Sequence, residues 1–281
     1  MDAQLQYDLR KIDTLILDVD HVIHHYDSQY AQAFSVATAG SFGKLYPELQ
    51  QTKIDHPSVE RDKTGTHFFW VDFAVDSYRM RGRATALFKE QFPEIDEMGL
   101  YVHHHDYLCK EGGFVHQYFQ KGKIPIDPEL PKLLEQVRGV GIKIVALTNG
   151  TQGYAEMVLG ARGHNVAHFF DRIMGVDSID NPQVNDKRHS AFIQKALQEM
   201  GVLNEFNISA HGHVALADDT PQNLRAPYKF FGMHTTLKLT DHNRNERQHA
   251  KHAVEDVKDL LKQIIEAKSQ AMPHLRLVNA R

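Results

Sequence analysis

Thr14-Leu15-Ile16-Leu17-Asp18-Val19-Asp20-His21-Val22-Ile23 is the stretch on which the reading of this chain turns. Its first four residues are mostly large and aliphatic, the pattern of a short buried strand. The run stops abruptly at two carboxylates separated by one residue. A buried carboxylate is costly unless a cation or hydrogen-bond donors compensate it, so the pair belongs at the exposed carboxyl end of that strand. There one carboxylate can attack an electrophile and the other can move a proton, with a hard cation damping their repulsion. A strand followed by an acidic turn has the same local pattern, so the rest of the chain has to decide.

Two further apolar runs also end in polar residues. Ile142 to Leu147 stops at Thr148-Asn149-Gly150, and Val214 to Ala217 stops at Asp218-Asp219. Helical patterns lie around them. Pro131 to Arg138 is stopped by Gly139 and Gly141, Gln152 to Gly160 follows the second run, and Ser190 to Met200 has Ala191, Phe192, Ala196 and Leu197 at helical spacing. Phe169 to Val176 and Thr235 to Leu239 are further expected strands, and Gln222 to Ala226 a short helical turn before Pro227. Strands alternating with helices imply right-handed β-α-β units, hence an α/β fold with a doubly wound, mostly parallel sheet. The carboxyl ends of such strands share one edge, where Asp18, Thr148 and Asp218 should converge.

From 23 to 124 the texture changes. Gln29 to Thr38, His67 to Arg79 and Gly82 to Gln91 read as helices with interleaved aromatics, and no apolar strand stands out. This segment, inserted directly after the first strand, is expected to fold as a helical cap and to return through the proline-bearing stretch 122–131. The Rossmann-like core is then 10–22 and 125–242. Arg247 to Ala267 carries Ala250, Val254, Val257, Leu261 and Ile264 or Ile265 on one face, so 243–281 reads as an amphipathic helix and a tail, docking within the chain or on a second subunit.

The 281 residues carry a net charge of -4, which argues against a nucleic-acid-binding surface. No apolar run is long enough to span a bilayer, and Met1 to Lys11 has no apolar signal core. Cys109 is the only cysteine, so an intramolecular disulfide is impossible and a cytoplasmic home is expected. Nineteen histidines are unusual. Those at 24–25, 103–105, 211, 213, 242, 249 and 252 read as solvated or locally hydrogen-bonded, because consecutive residues point in different directions. Phe68, Phe69, Trp70 and Phe73 could stack on a base, but an aromatic helix face is more often core.

With the strand ends placed, the chain resembles the haloacid dehalogenase-like superfamily, specifically its phosphatases. The family's first motif, D-x-D-x-[TV]-[LVI], is met by Asp18-Val19-Asp20-His21-Val22-Ile23, with His21 where glycine is usual. The second, an apolar strand ending in Thr or Ser, is met at Thr148, and the fourth, a strand ending in acids, at Asp218-Asp219 with Asn223, Ala226 and Gly232 following. The third needs a Lys or Arg. Lys187 is the candidate, in Lys187-Arg188-His189-Ser190-Ala191-Phe192, which resembles the usual K-P-x-P start without its prolines; Arg188 and Lys195 are alternatives.

The resemblance implies an α/β core with a helical cap and a magnesium-dependent phosphatase. Asp18 would be the nucleophile, Asp20 the general acid and base, Lys187 the charge-balancing cation, and Thr148 with Asn149 the phosphoryl-binding pair. Mg2+ would sit between Asp18, the Asp20 carbonyl and Asp218, with Asp219 in an outer position. A small phosphorylated metabolite is the implied partner, of a monomer or homodimer. The stretches 122–130 and 202–223 are faintly similar to the pyrimidine 5'-nucleotidase branch. Dehalogenases of the family lack an acid at the Asp20 position; a phosphomutase would keep it. A catalytically silent binding protein is the alternative of another class, which His21 and the imperfect third motif would favour. Against it, keeping like charges together is unfavourable without a use.

Overall fold

The computed structural model describes residues 8–25, 28–52, 54, 66–81, 83–120, 127–161, 165–179, 186–204, 212–241 and 243–271. Contacts divide the chain into two compact units, one drawn from Met1–His25, Ile124–Asn181 and Asn185–Arg281, the other from Tyr26–Lys123 with Pro182–Val184.

The first unit is built on a sheet of β1 (Thr14–Leu17), β2 (Lys143–Leu147), β3 (Arg172–Met174), β4 (Val214–Asp218), β5 (His234–Lys238) and β6 (His252–Val254). Its order is β3-β2-β1-β4-β5-β6, and every pairing is parallel. Strands covered on both faces need no polar alternation, which is why β1 and β4 are buried along their whole length. The strand order reverses at β1, with Leu17 level with Ala146 of β2 and Ala217 of β4. A crevice opens beyond the carboxyl ends at such a reversal. The residues that follow β1, β2 and β4 are therefore brought to one place.

Helices, numbered along the chain, are α1 (Ser28–Leu45), α2 (Thr66–Arg81), α3 (Ala86–Gln91), α4 (Glu97–Cys109) and α5 (Phe114–Gln120) in the second unit. In the first they are α6 (Glu129–Gly139), α7 (Gln152–Leu159), α8 (Ser190–Glu199), α9 (Arg225–Phe231) and α10 (Val257–Ala271). Asp127 starts α6 by accepting the Glu129 N–H at 2.9 Å. α9 runs through Pro227 rather than stopping before it, because a proline in the first turn lacks only an N–H that would have no intrahelical partner. It stops at Gly232, whose φ of 62° is left-handed.

The C-terminal segment corrects the expected helix over Arg247 to Ala267. Residues His252–Val254 instead form β6, where the Lys251 N–H bonds to the Thr235 carbonyl and the Leu239 N–H to that of Val254. The helix begins only at Val257, after Asp256 accepts the Lys258 N–H. Ala250 and Val254 matched the helical spacing of Val257 and Leu261 by coincidence, and a three-residue strand is too short to show a period of its own. α10 buries Val257, Leu260, Leu261, Ile264 and Ala267, and it packs on α6.

The helical unit has an aromatic core. Phe42, Trp70, Phe73 and Phe88 are almost completely buried, with Phe42 and Trp70 ring centroids 4.7 Å apart and the Trp70 and Phe73 rings at 87°. Trp70 Nε1–H donates to the Gln50 carbonyl at 3.0 Å, so its one polar group is satisfied. Phe69, Trp70 and Phe73 thus form core rather than a base-stacking platform; the side chain of Phe68 lies outside the described residues. α4 buries Glu97, His104 and His105 beside Leu100, Tyr101 and Leu108, so its buried face is not marked by apolar residues alone. Histidines 24, 104 and 105 are buried rather than solvated; His105 makes a local hydrogen bond with the Tyr101 carbonyl, whereas His103 bonds to Ser41, 62 residues away in sequence. His211, His242 and residues 122–126 of the return stretch lie outside the described residues. Among those residues no helix is long and apolar enough to cross a membrane.

His234 on β5 supplies a test of this packing. Burial, reinforced by Lys251 and His252 and opposed by Asp8, pulls its imidazole from 6.5 down to about 4. The unfolded chain therefore takes up a proton that the folded one refuses, and stability contributed by neutral His234 is lost as pH falls from 6.5 toward about 4. The loss should be on the order of 3 kcal/mol across that window in urea denaturation, and His234→Leu should remove it. Equal pH slopes for the two proteins would contradict this.

Candidate active site

Asp18 follows β1 directly and is held by its neighbours. Its backbone N–H bonds to the Ala217 carbonyl at 3.0 Å, and its Oδ1 accepts the Val19 N–H at 2.8 Å. Asp218 closes β4; its Oδ1 accepts the Thr220 N–H at 2.8 Å and the Asn223 Nδ2 at 3.0 Å. Between the two carboxylates stands Lys187, whose Nζ is 2.8 Å from Asp18 Oδ1 and 2.6 Å from Asp218 Oδ2. Lys187 and Asp218 are fully buried and Asp18 nearly so. Of the three cations considered for this place, Arg188 instead pairs with Asp186, and Lys195 lies within α8.

The electrostatics follow from burial. Desolvation raises Asp18 well above the usual carboxylate range; Lys187 opposes it, while Asp218, Asp20 and Asp219 reinforce it. Burial pushes Asp219 up to about 7, helped by Asp218 and Asp20 and opposed by Lys187. The Lys187 ammonium is raised by Asp18 and Asp218 in spite of the desolvation that would lower it. One lysine thus faces several carboxylates, and the set is short of positive charge. Oxygens of Asp18, Asp218 and Asp219 lie within 4.8 Å of one another. An all-oxygen, anionic donor set of this kind fits a hard divalent cation such as Mg2+.

Thr148 follows β2 and is fully buried. Its Oγ1 accepts the Gly150 N–H at 2.9 Å, which leaves the hydroxyl proton available to a ligand oxygen. The Asn149 side chain links this loop to the charged cluster. Its Oδ1 accepts the Lys187 backbone N–H at 3.1 Å and its Nδ2 donates to Asn223 Oδ1 at 3.4 Å. Asn223 in turn holds Asp218, so a ring of contacts runs Lys187–Asn149–Asn223–Asp218 and back to Lys187. Asp20 is only partly buried, and its Oδ1 accepts the Tyr154 hydroxyl at 2.7 Å.

Several supporting residues had no sequence signal. Asp186 is buried, accepts the Arg188 N–H at 3.0 Å and pairs with the Arg188 guanidinium, shaping the turn that presents Lys187. Gly175 lies so close to the loop after β2 that a Cβ would meet the Gln152 nitrogen at 2.2 Å. Asn243 donates to the carbonyls of Asp219 and Lys238, tying the acidic turn after β4 to the end of β5. His21 adopts a left-handed φ of 57°, which explains why glycine suits that position.

No protein-family model and no curated protein matches the chain. Solved structures do. CbbY from Rhodobacter sphaeroides, determined in complex with phosphate, superposes with a TM-score of 0.54 at 16% identity over 89% of this chain and 96% of its own. A HAD phosphatase from Thermococcus onnurineus gives 0.52 at 14% over 89% and 97%, and a putative beta-phosphoglucomutase from Thermotoga maritima 0.51 at 17% over 91% and 99%. The fold is that of the haloacid dehalogenase-like proteins. Within this haloacid dehalogenase-like core, Asp18, Thr148, Lys187 and Asp218 stand at the edge where the strand order reverses.

Two outcomes follow from the buried charges. Lys187→Met, measured in EDTA, should lose about 3–5 kcal/mol at neutral pH, since it leaves buried carboxylates without their cation. Because Asp18 is already raised, the variant should regain stability as pH falls and that carboxyl protonates, the reverse of ordinary acid denaturation. A variant as stable as the parent at neutral pH would contradict the charge assignment. His21→Gly should leave the thermal midpoint unchanged or higher, whereas β-branched His21→Val should lower it by the equivalent of about 1–2 kcal/mol.

Proposed function

We propose that this protein is a magnesium-dependent phosphatase that hydrolyses a small phosphorylated metabolite through an aspartyl-phosphate on Asp18. The observation that carries the reading is the triad in which Lys187 is held 2.8 Å from Asp18 and 2.6 Å from Asp218 at full burial, with Asp219 close by. Keeping these like charges buried together is unfavourable unless they serve an anionic reactant and a cation.

The contacts of Asp18 within the described residues fall on Oδ1, so Oδ2 is the oxygen for attack on phosphorus. In the first step the Asp18 Oδ2–P bond forms, the bond from phosphorus to the ester oxygen breaks, and Asp20 gives its proton to the departing oxygen. In the second, water attacks phosphorus and surrenders a proton to Asp20, and the Asp18–phosphorus bond breaks to release phosphate. Lys187 holds Asp18 in place and offsets the negative charge of the phosphoryl group, and Thr148 donates its hydroxyl proton to a phosphoryl oxygen. Asn149 acts by holding Lys187 and Asn223. Asp18, the Asp20 carbonyl and Asp218 would hold Mg2+, with Asp219 beside them; bound there, the ion supplies neutralisation of charge on the phosphoryl oxygens.

The helical unit inserted after β1 favours a small molecule over a phosphoprotein as substrate. Nucleoside monophosphates head the list to be tried, because of the faint likeness to the pyrimidine 5'-nucleotidase branch. Phosphate release separates a hydrolase from a phosphomutase, which would share the first step and return the phosphoryl group to a sugar.

The test is hydrolysis of 4-nitrophenyl phosphate with and without Mg2+, followed by a panel of nucleotides and sugar phosphates. Release should require Mg2+, and Asp18→Asn should lower it by about a thousandfold or more while the protein stays folded. Near-normal turnover in Asp18→Asn would sink the mechanism. No release from any panel member by folded, magnesium-loaded protein would point to a binding protein instead.

A further inference from the structure

We propose that Tyr154 is a positioning residue for Asp20, holding one carboxylate oxygen so that the other carries the proton given to the leaving group. The inference rests on the phosphatase reading above. Tyr154 lies in the first turn of α7, and its backbone N–H is capped by the Thr151 side chain at 3.3 Å. Its ring is buried, with only 1% of its surface exposed, yet its hydroxyl reaches Asp20 Oδ1 at 2.7 Å across 134 residues of sequence. The loop after β2 is shaped around that ring. A Cβ on Gly150 would lie 2.7 Å from Tyr154 Cδ1, so only glycine leaves room for it there. The same loop carries Thr148, so the residue that touches Asp20 is built into the segment that offers the phosphoryl-binding hydroxyl.

The chemistry is one of assignment. A tyrosine hydroxyl donates to a carboxylate oxygen, and an oxygen that accepts such a bond is a poor place for a second proton. The acidic proton of Asp20 then resides on Oδ2, at a set orientation. A general acid works only within hydrogen-bond reach of the oxygen it protonates, so orientation of this group bears directly on rate. Asp20 is partly exposed just after β1, and the bond from Tyr154 restricts the rotamers open to its carboxyl. A buried tyrosine could equally use Asp20 only to satisfy its own hydroxyl. The two roles differ in which substrates feel the loss.

Tyr154→Phe retains the ring and removes only the anchoring hydroxyl. We would measure kcat/KM for wild type and variant on a series from 2,4-dinitrophenyl phosphate to simple alkyl phosphates. Good leaving groups depart without a proton and poor ones need it. The variant should lose about tenfold or more on alkyl phosphates and less than about threefold on the dinitrophenyl ester. In an Asp20→Asn background the same substitution should have no further effect on the alkyl esters. A uniform loss across the series, or none anywhere, overturns the positioning role while leaving the phosphatase reading intact. A wild-type protein that hydrolyses no member of the series overturns both.

Discussion

Two aspartates and a lysine share a space from which water is almost wholly excluded, and the remainder of the first unit is organised around that constraint. Burial would normally drive such carboxylates to take up protons, and it does raise Asp18 and Asp219. Lys187 is what keeps the arrangement from being prohibitive. A buried ion cluster of this kind adds little net stability over an apolar substitute. Its value lies in fixed position, with the Asp18 and Asp218 carboxylates held by backbone and amide donors and the Lys187 ammonium held by those two carboxylates.

Position is secured by backbone geometry more than by side chains alone. β1 supplies Asp18 from the middle of a parallel sheet, with its N–H bonded to β4. Lys187 comes from no strand. It is brought in by a turn anchored on Asp186 and by the Asn149 side chain, which connects the loop after β2 to Asn223 and so to Asp218. Gly175 lets the loop after β2 pass within reach of the end of β3, and Asn243 clamps the acidic turn from the far side. The site is thus a convergence of loops tied to one another by hydrogen bonds.

The strand-end residues were legible because they obey a local rule. A short apolar run that stops at a carboxylate or a threonine is visible in one dimension, and parallel β-α-β topology then places such ends along one edge. Lys187 could be named only through a degraded motif, and neither its prolines nor its spacing were those expected. The C-terminal strand was invisible for another reason. His252–Val254 gains its strand character from pairing with β5, not from any alternation within three residues. The burial of His24, His104 and His105 is not legible in sequence, because a polar residue is placed outside by default and only packing puts these three inside. The aromatic stretch on α2 was ambiguous in sequence, and ring contacts with Phe42 and Phe88 resolve it as core.

By itself, the sequence determined the alternation of strand and helix, the parallel sheet, the two carboxylates after β1 and the polar ends of β2 and β4. These follow from hydrophobic runs and their punctuation, which are properties of neighbouring residues. Only the tertiary structure decided which cation meets Asp18, that Asn149 and Asn223 tie the cluster together, and that Tyr154 reaches Asp20. Those contacts join residues far apart in the chain, and their geometry is set by sheet register and loop packing that no local pattern encodes.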